Sequence, residues 1–94
     1  MAVTVTIPTA LRQYAGGNAS VSLEASDVGG LIRGLVELYP ALGRHLLDDQ
    51  GRLRSFVNLY VGDEDIRYLD GEATPLRDGD TVSIIPAIAG GGQP

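Results

Sequence analysis

The sequence predicts an α+β domain: a mixed sheet of four to five strands, with one main helix packed across one face. Three observations carry this reading. Val3, Val5 and Ile7 near the start, and Val82 and Ile84 near the end, alternate with other residues at the two-residue period of a half-buried strand. Between them, from Val28 to Tyr39, apolar residues recur at helical spacing. A chain of 94 residues can bury one modest core.

The elements follow in order. Val3, Val5 and Ile7 are β-branched, interleaved with Thr4 and Thr6, and Pro8 ends the run. Gly16, Gly17 and Asn18 mark a turn. Val21 and Leu23 then alternate with Ser20, Ser22 and Glu24, so the two runs make a hairpin with a long connection. Ser26 and Asp27 are N-cap candidates. Val28, Leu31, Ile32, Leu35, Leu38 and Tyr39 form one apolar face, and Pro40 should stop the helix at Tyr39. Leu42, Leu46 and Leu47 predict one further short helical turn, and Asp48 to Gly51 a loop.

Phe56 to Val61 is the strongest strand signal. Val57, Leu59 and Val61 should face one way, and Phe56, Asn58 and Tyr60 the other. A turn at residues 62–65 leads into a short strand, Ile66 to Leu69. Asp70-Gly71 and Asp78-Gly79 are further turns. Thr81 to Ile88 is the last strand, with Ser83 and Ile85 opposite Val82 and Ile84. The domain is expected over residues 1–88, with a flexible glycine tail over residues 89–94.

Composition excludes several function classes. There is no cysteine, so disulfides, thiolate metal sites and cysteine nucleophiles are absent. All seven basic residues are Arg, which removes the P-loop lysine and Schiff-base chemistry. If ATP is used, another protein must bind it. The net charge of −5 argues against nucleic acid, whose binding rests on phosphate neutralisation, and suits a partner with a basic docking surface. No apolar run approaches bilayer length and no signal peptide is visible, so no membrane association and a cytoplasmic location are expected.

Side-chain catalysis finds little support. His45, beside Arg44, reads as a surface histidine with no triad partner in view. Asp63, Glu64 and Asp65 read as a solvated acidic turn; the position of a calcium loop's terminal Glu falls on Thr74. No metal site is expected. Gly30, Arg33, Gly34 and Glu37 fall opposite the helix's apolar stripe, and the two glycines read as a loss of helix stability made up by packing. The remaining feature is the tail, Ala89-Gly90-Gly91-Gly92-Gln93-Pro94. It suits either a frayed terminus or an arm entering a channel too narrow for a Cβ.

The stretch Leu76-Arg77-Asp78-Gly79-Asp80, followed by the strand with Pro86 and then Gly90-Gly91, resembles the ending of the ThiS/MoaD sulfur carriers. These are ubiquitin-like β-grasp proteins, and their order of elements matches the whole chain. Phe56-Val57-Asn58-Leu59-Tyr60-Val61-Gly62-Asp63-Glu64-Asp65-Ile66-Arg67 is similar to the CysO-type branch, which serves cysteine biosynthesis.

This resemblance implies a carrier, not an enzyme. A ubiquitin-activating-type partner would use ATP to adenylate the carboxylate of Gly91, preceded by Gly90, and sulfur would then replace AMP to give a thiocarboxylate. A sulfur-acceptor synthase, with a cysteine synthase-like enzyme as the first expectation, would take the sulfur. The chain itself would bind no cofactor. It departs from the family ending by continuing with Gly92, Gln93 and Pro94, which implies trimming by a JAMM-type zinc metalloprotease. The resemblance also implies docking through the sheet face left open by the helix, with Phe56, Tyr60, Ile85 and Pro86 as interface residues, flanked by Asn58 and Ser83. Two other functions stay open: a protein modifier joined to lysines of other proteins, and a β-grasp binding module with an inert tail.

Overall fold

The computed structural model describes residues 2–86. Strand β1 (Ala2–Thr6) buries Val3 and Val5 almost completely, and Ile7 just beyond it is fully buried. It pairs antiparallel with β2 (Ser20–Glu24), Val3 opposite Leu23 and Val5 opposite Val21. The long connection is not shapeless. Thr9–Tyr14 forms a 3-10 turn that sends Leu11 into the core, and Ala15 follows it there.

Helix α1 (Val28–Leu38) is started by Asp27, whose Oδ1 accepts the Gly30 N–H at 2.7 Å. Val28, Leu31, Ile32 and Leu35 are buried against the sheet. Burial of each such side chain stabilises the fold by about 1.5–3 kcal/mol. Leu38 corrects the predicted stripe, since it is 55% exposed. At about 100° per residue it stands roughly 80° from Val28, on the margin of the face, where the helix ends. Tyr39 then breaks the helical geometry and Pro40 occupies the first turn of α2 (Pro40–Leu46). Gly43 permits this corner, because a Cβ there would lie 2.7 Å from Cγ1 of Val36.

Strand β3 (Val57–Val61) buries Val57 and Leu59. It pairs antiparallel with β4 (Glu64–Asp65) and with β5 (Thr81–Pro86). β5 also lies parallel to β1, with Val82 beside Val5. The sheet order is therefore β2-β1-β5-β3-β4, with the two terminal strands side by side at its centre. Val5, Val82 and Ile84 point to the helix face together with Leu59, because residues in register share a face. The mixed five-stranded sheet under a main helix matches the expected fold.

One expectation here needs correction, and another reaches past the described residues. The strand over Ile66 to Leu69 is absent: Ile66–Tyr68 is a 3-10 turn. Asp65 causes it, since its carboxylate accepts the Arg67 N–H at 2.9 Å and turns the chain out of the sheet. Ile66 is buried, whereas Tyr68 and Leu69 are exposed. The final strand is described only to Pro86; Ala87 and Ile88 lie outside the described residues.

The open sheet face as a candidate functional site

On the face away from the helix, alternation places Asn58 and Tyr60 of β3 beside Ser83 and Ile85 of β5. Asn58 is in register with Ile85, and Tyr60 with Ser83. Ile85 is 48% exposed; it pairs with Asn58 on the β3 side, whereas the ladder to β1 ends at Ser83.

The other two predicted interface residues are placed differently. Phe56 is exposed but precedes β3, on a turn closed by the Val57 N–H bonded to the Arg54 carbonyl at 2.9 Å. No ladder pair fixes its face, so the expected placement in the strand is corrected. Pro86 is in register with Val57 and thus alternates to the helix side of β5. It is half-buried, and the described chain stops there. Gly90, Gly91, Gly92, Gln93 and Pro94 all lie outside the described residues.

A charged element that the sequence did not reveal completes this face. Asp65 is in register with Tyr60 and is only 7% exposed. It is therefore not part of a solvated turn, as expected, although Asp63 and Glu64 are exposed. Arg67 Nη2 lies 2.8 Å from Asp65 Oδ2, and Arg67 Nε lies 3.2 and 3.3 Å from the two carboxylate oxygens. Nη2 also donates to Asn58 Oδ1. Hydrogen bonds from the Arg67 side chain, and next from its backbone N–H, hold the Asp65 carboxyl below the usual carboxylate range. The same pair raises the Arg67 guanidinium above its ordinary value. The spacing Asp65-x-Arg67 was visible in the sequence; the fold was needed to bring Asn58 to the pair.

Beside Arg67 lies a groove of about 370 Å³, lined by Leu53, Arg54, Ser55, Ile66 and Glu72 among others. His45 is not among the residues that line this groove. It is exposed, and its ring stacks on Tyr14 with centroids 4.0 Å apart. Among the described residues no group of His, Cys, Asp or Glu could hold a metal ion. No helix among them is long and apolar enough to cross a membrane.

The model of the ThiS family matches residues 5–91. This chain belongs to the ThiS family. It is 47% identical over 93 residues to the sulfur carrier protein CysO of Mycobacterium tuberculosis, covering 97% of this chain and 100% of that one. The crystal structure of M. tuberculosis CysO superposes with a TM-score of 0.83 at 45% identity, over 92% of this chain and 99% of that chain. A chain of the Amycolatopsis orientalis BexX/CysO complex gives a TM-score of 0.85 at 39% identity, covering 94% and 98%. The small archaeal modifier protein 3 of Haloferax volcanii is 41% identical over 78 residues, which is 80% of this chain and 84% of that protein. The fold is thus the ubiquitin-like β-grasp of the CysO structures.

Proposed function

We propose that this ThiS-family chain is a sulfur carrier whose working atom is the carboxylate of Gly91. The observation that carries the reading is the family match, which runs from β1 through the glycine pair and stops at Gly91. The similarity to CysO across nearly the whole chain supports cysteine biosynthesis as the destination of the sulfur.

The chemistry follows from the carboxylate. It is a poor electrophile at neutral pH. An adenylating partner of the ubiquitin-activating type holds ATP, and a Gly91 carboxylate oxygen attacks the α-phosphorus. Pyrophosphate leaves and an acyl-adenylate forms. A sulfur nucleophile then attacks the acyl carbon and AMP leaves, giving a thiocarboxylate. That sulfur passes to a substrate held by an acceptor synthase. This chain supplies no catalytic side chain and binds no cofactor; it protects and addresses the sulfur. The BexX/CysO complex is a precedent for a CysO protein held by a second protein.

Gly91 can offer a carboxylate only after the residues that follow it, Gly92, Gln93 and Pro94, are removed. A JAMM-type metalloprotease performs this cut in our reading. Intact mass before and after incubation with extract, and then with ATP, a sulfur source and the adenylating partner, tests both steps. Loss of Gly92-Gln93-Pro94 and exchange of one oxygen for sulfur are the expected changes. An unaltered mass at both stages would overturn the reading in favour of a binding module with an inert tail.

A second reading has its own support. The similarity to small archaeal modifier protein 3 favours attachment of Gly91 to lysines of other proteins. The same activated glycine would serve both fates. Lysine-linked adducts bearing this chain's C-terminal peptide would mark the second.

A further inference from the structure

We propose that Arg67 is a preorganised recognition residue on the docking face, and that the adenylating partner meets it with a carboxylate side chain. This deepens the sulfur-carrier reading and rests on it.

Three facts about Arg67 support this role. Its Nε–H and both Nη2 hydrogens are held by Asp65 and Asn58, which leaves the two Nη1 donors without an acceptor among the described residues. The side chain is nevertheless 61% exposed, so those donors are accessible. The guanidinium is fixed before any partner arrives, and an arginine already fixed loses little entropy on binding.

Its position supports the same role. Arg67 bonds to Asn58, and Asn58 is the register neighbour of exposed Ile85. A cation thus stands one strand away, across Asn58, from the exposed apolar residue of this face. Gly91 is the sixth residue after Ile85, within about 20 Å of it even in a fully extended chain. A partner that closes on the glycine carboxylate is therefore near enough to touch Arg67.

The surrounding charge defines what kind of contact this is. Residues 61–80 hold Asp63, Glu64, Asp65, Asp70, Glu72, Asp78 and Asp80 against Arg67 and Arg77 alone. An acidic partner group is not drawn to this segment from a distance. Recognition by Arg67 is therefore a short-range hydrogen-bonded contact, and its loss should appear mainly in the dissociation rate.

The test measures binding of the full chain to the adenylating enzyme of its own source, by a method that resolves both rates. Arg67→Gln should weaken binding roughly 10- to 100-fold, and Arg67→Lys by a smaller factor because the planar fork is lost. Asp65→Asn is the discriminating variant. It makes the chain less acidic, so simple charge attraction would have it bind an acidic group more tightly; loss of a fixed guanidinium predicts weaker binding. Circular dichroism and thermal unfolding establish that each variant is folded. If Arg67→Gln and Asp65→Asn fold and bind as the wild type does, the inference about Arg67 is wrong and the carrier reading stands. If the wild type itself neither binds nor is adenylated, both fall.

Discussion

Arg67 reaches back two residues to cover the carboxylate of Asp65, with Nη2 2.8 Å from Oδ2. That one pair ends strand β4, starts the 3-10 turn after it and fixes a cation on the open sheet face.

The pair has a pH signature. The Asp65 pKa is lowered in the folded state, so its contribution is complete above the unfolded carboxyl pKa, about 3.9. It is lost as the pH falls through the folded value. Asp48 adds to the same acid limb, because the backbone N–H groups of Arg52 and Gln50 stabilise its charged form. The difference in stability between wild type and Asp65→Asn should be constant near neutrality and should shrink below about pH 4. Urea unfolding at a series of pH values measures it. A gap that grew on acidification would contradict the assignment.

The helix glycines should respond to alanine in opposite directions. A Cβ on Gly34 would meet only Leu23 Cδ1, at 4.0 Å, an ordinary contact. Gly34→Ala should therefore stabilise the domain by about 0.5–1 kcal/mol through helix propensity. A Cβ on buried Gly43 would stand 2.7 Å from Val36 Cγ1, so Gly43→Ala forces α1 and α2 apart. It should cost roughly 1–3 kcal/mol. Thermal unfolding of the two variants should move the midpoint up and down respectively.

The core and the open face should also separate. Leu35 is 2% exposed under the helix, and Leu35→Ala should cost about 2–5 kcal/mol. Ile85 is one residue beyond buried Ile84 yet faces solvent, so Ile85→Asp should cost no more than about 1 kcal/mol. It should nevertheless weaken binding to the adenylating partner. Unfolding curves read beside binding measurements check both halves, and unchanged affinity for Ile85→Asp would remove this face from the interface.

The legible part of the fold was the part governed by local period. Val3, Val5 and Ile7, Val57 and Leu59, and Val82 and Ile84 each announced a buried face, and each is buried. The illegible part depended on contacts across the chain. Period alone could not place β5 between β1 and β3, because a parallel pair of terminal strands leaves no local mark. Ile66 to Leu69 looked like a strand because β-propensity outweighed the capping power of Asp65. Ile85 was readable as an open-face residue from alternation. Arg67 was not, because its partner Asn58 lies nine positions away and meets it only through the fold.

The tail prediction is the most direct. A chain ending at Gly91 should accept sulfur from the adenylating system, whereas the same chain extended through Gly92-Gln93-Pro94 should not until it is cut. The reason is chemical, since a peptide carbonyl at Gly91 cannot attack a phosphorus as a carboxylate does. It is also steric: the proline ring fixes its own backbone and is bulkier than glycine in a narrow channel. Two variants separate these causes. A chain ending at Gly92 still has a free glycine carboxylate one residue further along; its failure would mean that the partner measures tail length from the docking face. A chain ending at Gly91 with Gly90→Ala keeps the length and adds only a methyl group; slower adenylation would report a channel closed to a Cβ. Equal sulfur uptake by the full-length and the Gly91-ended chains, with no cleavage seen by intact mass, would show that trimming is not required.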